Sequence, residues 1–174
     1  MVAIDAIDIA SVLLRFIVGI TMFAHGYRHI WGGGKLPGTA GWFESIGIRP
    51  GKVHALLASV TELGASVLLW LGLLTPLGAA GVLGTMFVAL IANHRKNGFF
   101  IFRPGEGYEY VLNLAVACIA IACLGAGQWS IDDKIDFVLH DWWGLIWALL
   151  IGVGGTVLLL ATFWRPPAPK PAAT

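Results

Sequence analysis

Apolar residues in this chain fall into five long blocks, at residues 9–24, 53–74, 77–93, 110–126 and 143–164, with polar residues gathered between them. The blocks are continuous rather than alternating, so they predict helices and not the strands of a closed barrel, the other way to satisfy backbone groups in lipid. Each is near the roughly 20 residues that a helix needs to cross a bilayer. Pro76 cannot continue a helix and restricts the residue before it, so the second and third spans form an antiparallel hairpin with a very short turn. Residues 95–109 part the third and fourth spans, and a Gly- and Asp-rich stretch at 125–141 parts the fourth and fifth. The reading is an all-α membrane protein with five crossings.

Composition removes the alternatives. The 174 residues are 57% hydrophobic and 12% charged, against roughly 45–50% and about 25% in a soluble domain. No polar stretch outside the blocks exceeds roughly 30 residues, too short for the core of a second domain. A formal net charge of +1 excludes an overall attraction to nucleic acid, which needs a clustered basic surface. The first residues carry Asp5 and Asp8 and no basic run, so no cleavable leader is expected and the first span stays in the mature protein.

The basic residues are distributed unevenly. Nine of the 11 fall on one face: Arg28, Lys35, Arg49 and Lys52 in the first connection, Arg95, Lys96 and Arg103 in the third, and Arg165 and Lys170 in the tail. The opposite face holds Lys134 among Asp5, Asp8, Asp132, Asp133, Asp136 and Asp141. Because positive residues are retained on the cytoplasmic side, the N-terminus is expected outside and the C-terminus inside the bacterial inner membrane. Trp70, Trp129, Trp142 and Trp143 then lie near the outer interface and Trp164 near the inner one.

Two charges fall within the spans, Arg15 in the first and Glu62 in the second, and each is costly at membrane depth unless paired or wetted. Arg15 lies ten residues from His25 and Glu62 eight from His54, so their depths differ by roughly 3 Å at about 1.5 Å per residue, and the two are expected to meet as an intramembrane pair. Three readings of them stand open: a buried strut between the first two spans, a proton or ligand site at mid-depth, or an Arg15 that snorkels to the outer interface.

Topology gathers His25, His29, His54 and His94 at the inner face, with Tyr108 and Glu109 opening the fourth span at the same level. If the first helix continues past Gly26, His25 and His29 share one face at the i, i+4 spacing that suits a metal. A polar pocket for a redox-active head group, or plain solvated helix ends, are the other readings. Cys118 and Cys123 lie five residues apart on one helix, too far along it for a disulfide, and read as buried apolar cysteines. The chain has no phosphate-binding glycine loop, Ser-His-Asp context or zinc-type Cys/His spacing. In the first connection, Gly32 to Gly34 form a flexible link, and Thr39 is expected to cap a short helix whose Trp42, Phe43 and Ile46 share one side. Such a helix either anchors at the interface or lids the ends of the spans.

Taken in order, these residues resemble the DoxX family of small bacterial membrane proteins. The resemblance rests on Leu14-Arg15 with Gly19 and Phe23, His25-Gly26-Tyr27-Arg28 where the family has His-Gly-x-x-Lys, Gly38-Thr39, and Phe43 with Ile46-Gly47. It continues through Glu62 and Gly64, Leu71 to Thr75, Asn97-Gly98-Phe99-Phe100 and Gly107-Tyr108-Glu109-Tyr110. Leu124 to Asp132 is similar to the family's Gly-Pro-Gly-x-x-Ser-Leu-Asp, with Ala126 where proline is usual, and the likeness covers residues 10–135. It implies a four-helix transmembrane bundle at 1–135, to which 136–164 adds a fifth C-terminal transmembrane helix and 165–174 a proline-rich tail expected to be disordered.

The resemblance further implies quinone-linked redox complexes, such as thiosulfate oxidation at the membrane, and redox-stress assemblies with soluble partners. The expected function is therefore a membrane subunit of a redox system that engages quinone or a similar lipophilic ligand near the cytoplasmic face. Its candidate ligand-binding residues are His25, Arg28, His94, Asn97, Tyr108 and Glu109, with no metal, and His54 lies outside the motif. Whether the subunit is itself a quinone-linked oxidoreductase, and whether it self-associates, is open. The alternatives are a non-enzymatic scaffold of a membrane complex and a carrier of small solutes.

Overall fold

A computed structural model describes residues 6–137 and 139–167; most of the expected tail, from residue 168 on, lies outside the described residues. Among the described residues, seven α-helices follow one another: α1 (Ala6–Trp31), α2 (Lys35–Ser45), α3 (Gly51–Leu71), α4 (Thr75–Ala92), α5 (Glu109–Leu124), α6 (Ile131–Lys134) and α7 (Asp141–Phe163), with a short 3-10 turn at His94–Asn97. Four of them, α1, α3, α4 and α7, are long and apolar enough to cross a membrane, and α5 is a shorter apolar helix of 16 residues. The chain is a multi-pass membrane protein, a four-helix bundle of α1, α3, α4 and α5 with α7 as the fifth helix against α4 and α5.

The bundle is inside-out in the sense that lipid requires. Its outward surface is aliphatic, with Leu13, Ile17, Val60, Leu150 and Leu158 all well exposed, while its centre packs Val18, Met22, Leu69, Leu83, Val111 and Ile121. Hydrophobic burial does not drive helices together in lipid, so close approach and polar contacts must. Gly26 of α1 lies against Glu62 and Leu63 of α3, and Gly84 of α4 against the Gly152 backbone of α7. Thr156 donates to the Gly84 carbonyl at 3.0 Å. The hairpin expected at Pro76 is present. Gly72 closes α3 in the left-handed conformation, and a side chain there would strike the Arg15 guanidinium and Ser130.

Alternating crossings place two different ends on the bundle. At the aspartate end, the 125–135 segment is tied down by Asp8, which accepts from Gln128 N at 2.8 Å, and by Ser11, which donates to the Gly125 carbonyl at 2.7 Å. Asp132 caps α4, accepting from the backbone N–H of Leu74 at 2.7 Å and of Thr75 at 2.9 Å; a carboxylate there also meets the positive end of the helix dipole.

At the histidine end, α2 covers the opening. It begins at Lys35, four residues before Thr39, so Thr39 lies within the helix and is not its cap. Thr39 instead donates within the helix to Lys35 and across to the His29 carbonyl. Phe43 and Ile46 turn inward, whereas Trp42 stays exposed. The chain after α7 locks the α2–α3 link: Arg49 N donates to the Phe163 carbonyl at 3.0 Å, Arg165 N to Gly47 at 2.7 Å, and the Trp164 indole to Ile46 at 3.0 Å.

Candidate functional site

Helix α1 does not stop near residue 24 but runs to Trp31. His25 and His29 therefore stand on one face of a continuous helix, a full turn apart. From α3 come His54 and Glu62, both buried, and from the 3-10 turn comes buried His94. These groups line one cavity of about 1070 Å³, roofed by α2. Its walls are mainly apolar, among them Met86 and Val88 of α4 and Leu159 of α7, and its polar groups are few and converge.

The deepest polar feature is the approach of His29 Nδ1 to the Glu62 carboxyl, at 3.3 Å. Neither atom makes a well-aligned hydrogen bond, and both ring nitrogens of His54 are in the same condition. A backbone group of Arg49 lies near His54 without closing one, and the ring stands edge-on to Phe163 at 4.8 Å. Buried polar atoms are ordinarily satisfied, and leaving one unmade costs about 1–3 kcal/mol. Several such atoms around one cavity mark a place built to receive hydrogen-bonding groups. At its mouth are His25, Arg28 and Glu106, all accessible, and His25 Nε2 shares a 2.8 Å hydrogen bond with the Tyr110 hydroxyl.

Of the six expected ligand residues, His25, Arg28 and His94 line the cavity, and Asn97, Tyr108 and Glu109 do not. These three build the α4–α5 loop instead. Asn97 donates to the carbonyls of Asn93, Gly105 and Glu106. The Glu109 carboxyl accepts from Ile101 N at 3.1 Å, and Tyr108 packs edge-on against Phe99. His94 Nδ1 donates to the Glu106 carbonyl at 2.9 Å, which fixes the loop above the cavity. Tyr110, Glu106, His29, Glu62 and His54 take the vacated roles. Tyr110 is two residues from Tyr108 and so on the opposite side of the helix start, a choice that family motif spacing does not make.

The expected Arg15–Glu62 pair is corrected. Arg15 is fully buried and donates to the Leu69 carbonyl and the Trp129 carbonyl, each at 2.9 Å, with Asp132 as its electrostatic partner. Gly19 faces Trp70 and Gly26 faces Glu62, so Glu62 lies level with a point eleven residues along α1 from Arg15, about 16 Å at 1.5 Å per residue. The depth estimate equated His25 and His54 as helix ends, whereas the ends are Trp31 and Gly51. Cys118 and Cys123 are free thiols. Among the described residues no group of three or more His, Cys, Asp and Glu is arranged to hold a metal ion.

A model of the DoxX family matches residues 10–95. The chain belongs to the DoxX family. An uncharacterized membrane protein of Mycobacterium tuberculosis is 26% identical over 133 residues, which are 72% of this chain and 80% of that protein. No solved structure matches the chain. The DoxX match takes in α1 to α4 and with them Arg15, His25, Arg28, His29, His54, Glu62 and His94. Glu106, Tyr110 and the α7 wall of the cavity lie beyond it, so this DoxX chain completes its cavity with residues outside the matched segment.

Proposed function

We propose that this DoxX-family protein is a membrane subunit of a redox system that binds a quinone, or a lipophilic molecule with similar carbonyl acceptors, in the histidine-lined cavity. The observation that carries the reading is the convergence of the buried His29–Glu62 contact and of His54, whose ring nitrogens make no well-aligned hydrogen bond, on one cavity with apolar walls. Ligand sites are typically of this kind, roughly 300–1,000 Å³ and mostly apolar with a few aimed polar groups. A quinone head group offers carbonyl oxygens to histidine and tyrosine donors. A quinone held there would supply two-electron redox chemistry with one proton per electron, which the His29–Glu62 contact could pass on; the electrons would come from a partner protein. With the charge bias of the two ends, the cavity opens on the cytoplasmic side of the bacterial inner membrane.

A scaffold that only packs helices has no use for a cavity of about 1070 Å³ on which four histidines and a buried carboxyl converge. The carrier reading needs a path past Arg15, and the cavity reaches Glu62 but not Arg15.

Native mass spectrometry of the purified chain tests the proposal. A bound quinone is expected in the parent, with occupancy lost in Glu62→Gln and reduced in Tyr110→Phe. His140→Ala, at the aspartate end, should keep it. A parent free of quinone in extracts that contain it would overturn the reading.

A further inference from the structure

The lining of the cavity divides into two parts. On α4, Met86, Ala89 and Asn93 fall on one side of the helix and Gly81, Gly84, Thr85 and Val88 on another, at 3.6 residues per turn. On α3 the same rotation separates Glu62 from Leu57 and Thr61, with His54 and Ala58 between them. Ile151, Gly155 and Leu159, one turn apart on α7, complete the second part. It is a groove whose floor is α4 and whose walls are α3 and α7. Its rims are open at bilayer depth, Leu57 being 50% and Ile151 44% exposed. From Val88 to Gly81 it runs about 10 Å along the helix.

Small residues alone would make this a packing seam. What sets the groove apart is His54, 3% exposed, with no well-aligned hydrogen bond at either ring nitrogen and only a backbone group of Arg49 nearby, at the place where groove and chamber join. An apolar channel open to lipid that leads past an unsatisfied imidazole into a polar chamber has the shape of an amphiphile. We propose that the groove holds the apolar chain of a membrane amphiphile, which enters sideways from the bilayer between α3 and α7 and seats its head group in the chamber beyond His54. The fifth helix then supplies a wall of the chain site. The inference rests on the reading above only for the identity of the head group.

Gly155 allows a direct test, because it lines the groove and a Cβ there meets nothing within 4 Å, so Gly155→Phe sends its ring into the groove from an unobstructed backbone position. Gly154, also open but facing away from the cavity, gives the control Gly154→Phe. The full chain in lipid nanodiscs is titrated with a methoxylated benzoquinone carrying a decyl chain and with the same ring lacking the chain. With each probe's affinity expressed against its concentration in the nanodisc bilayer, the parent and Gly154→Phe should hold the decyl probe several-fold more tightly, through the packing contacts its chain makes in the groove. Gly155→Phe should erase that ratio while leaving the bare ring bound as before. Equal binding of both probes by the parent, or an unchanged ratio in Gly155→Phe, would overturn the inference and leave the quinone reading standing.

If neither quinone binds, the quinone reading fails and palmitate bearing a diazirine near its chain end decides the groove. Cross-links at Leu57, Thr61 and Thr85 in the parent that vanish in Gly155→Phe support it. Cross-links spread equally over the outer face of α7 and unchanged by the substitution overturn it. Should Gly155→Phe fold poorly, Gly155→Ile carries the same readouts with less bulk.

Discussion

Arg15 is fully buried at bilayer depth, and its role follows from its partners. Two carbonyls, Leu69 from α3 and Trp129 from the 125–130 segment, take its guanidinium protons, while Asp132 supplies the opposing charge and in turn holds the first N–H groups of α4. One arginine and one aspartate thus join α1, α3, α4 and the segment before α7. Removing either leaves the other buried and uncompensated, a loss of about 3–5 kcal/mol. Asp132→Ala is therefore expected to lower stability by that amount in reversible unfolding from mixed micelles. In double-mutant cycles, Arg15→Gln with Asp132→Asn should depart from additivity by about 0.5–3 kcal/mol, and Arg15→Gln with Glu62→Gln should be additive within about 0.5 kcal/mol. Coupling in the second cycle would mean that Arg15 and Glu62 meet after all. Charge inside an apolar run made Arg15 conspicuous in the sequence; its partner lies more than a hundred residues away in a polar loop, where nothing local marks Asp132 above its acidic neighbours.

Elements were legible where apolar runs are long. All five blocks became helices, because a backbone in lipid must satisfy itself within one segment. Helix ends were less so: α1 continues through His25 and His29 to Trp31, since polar residues at a membrane interface neither extend the apolar signal nor end the helix. That overrun moved Glu62 away from Arg15 and set His29 against it. The cavity was visible as four histidines at one end, but its tyrosine was misplaced by two positions, and the contribution of α7 could not be read from a run of aliphatic residues. Helix α7 touches α4 through glycine: a side chain at Gly152 would press into the Ala80 carbonyl at 2.8 Å. Gly152→Leu should destabilise the fold by about 1–3 kcal/mol through overpacking and release α7 from α4, read as the loss of cross-linking between cysteines placed at Val88 and Leu159, which line one groove. Unchanged stability would mean that α7 is only loosely attached.

Over the whole molecule, the two ends differ in chemistry as well as charge. The aspartate end is closed by Asp8, Ser11, Arg15 and Asp132, which hydrogen-bond to the backbone of neighbouring segments. The histidine end carries the cavity, the α2 cover and most of the basic residues. With the proposed site at one end only, orientation would decide which compartment exchanges protons with the ligand. Positive residues near span ends are retained in the cytoplasm, so the histidine end is expected inside. Cysteines introduced singly at Asp136 and at Lys96, both exposed, report this directly, in a background where Cys118 and Cys123 are replaced by alanine. On intact cells a membrane-impermeant maleimide should modify the cysteine at 136 and spare the one at 96, and permeabilised cells should lose the difference. The reverse pattern would turn the protein over and place the cavity on the outer side.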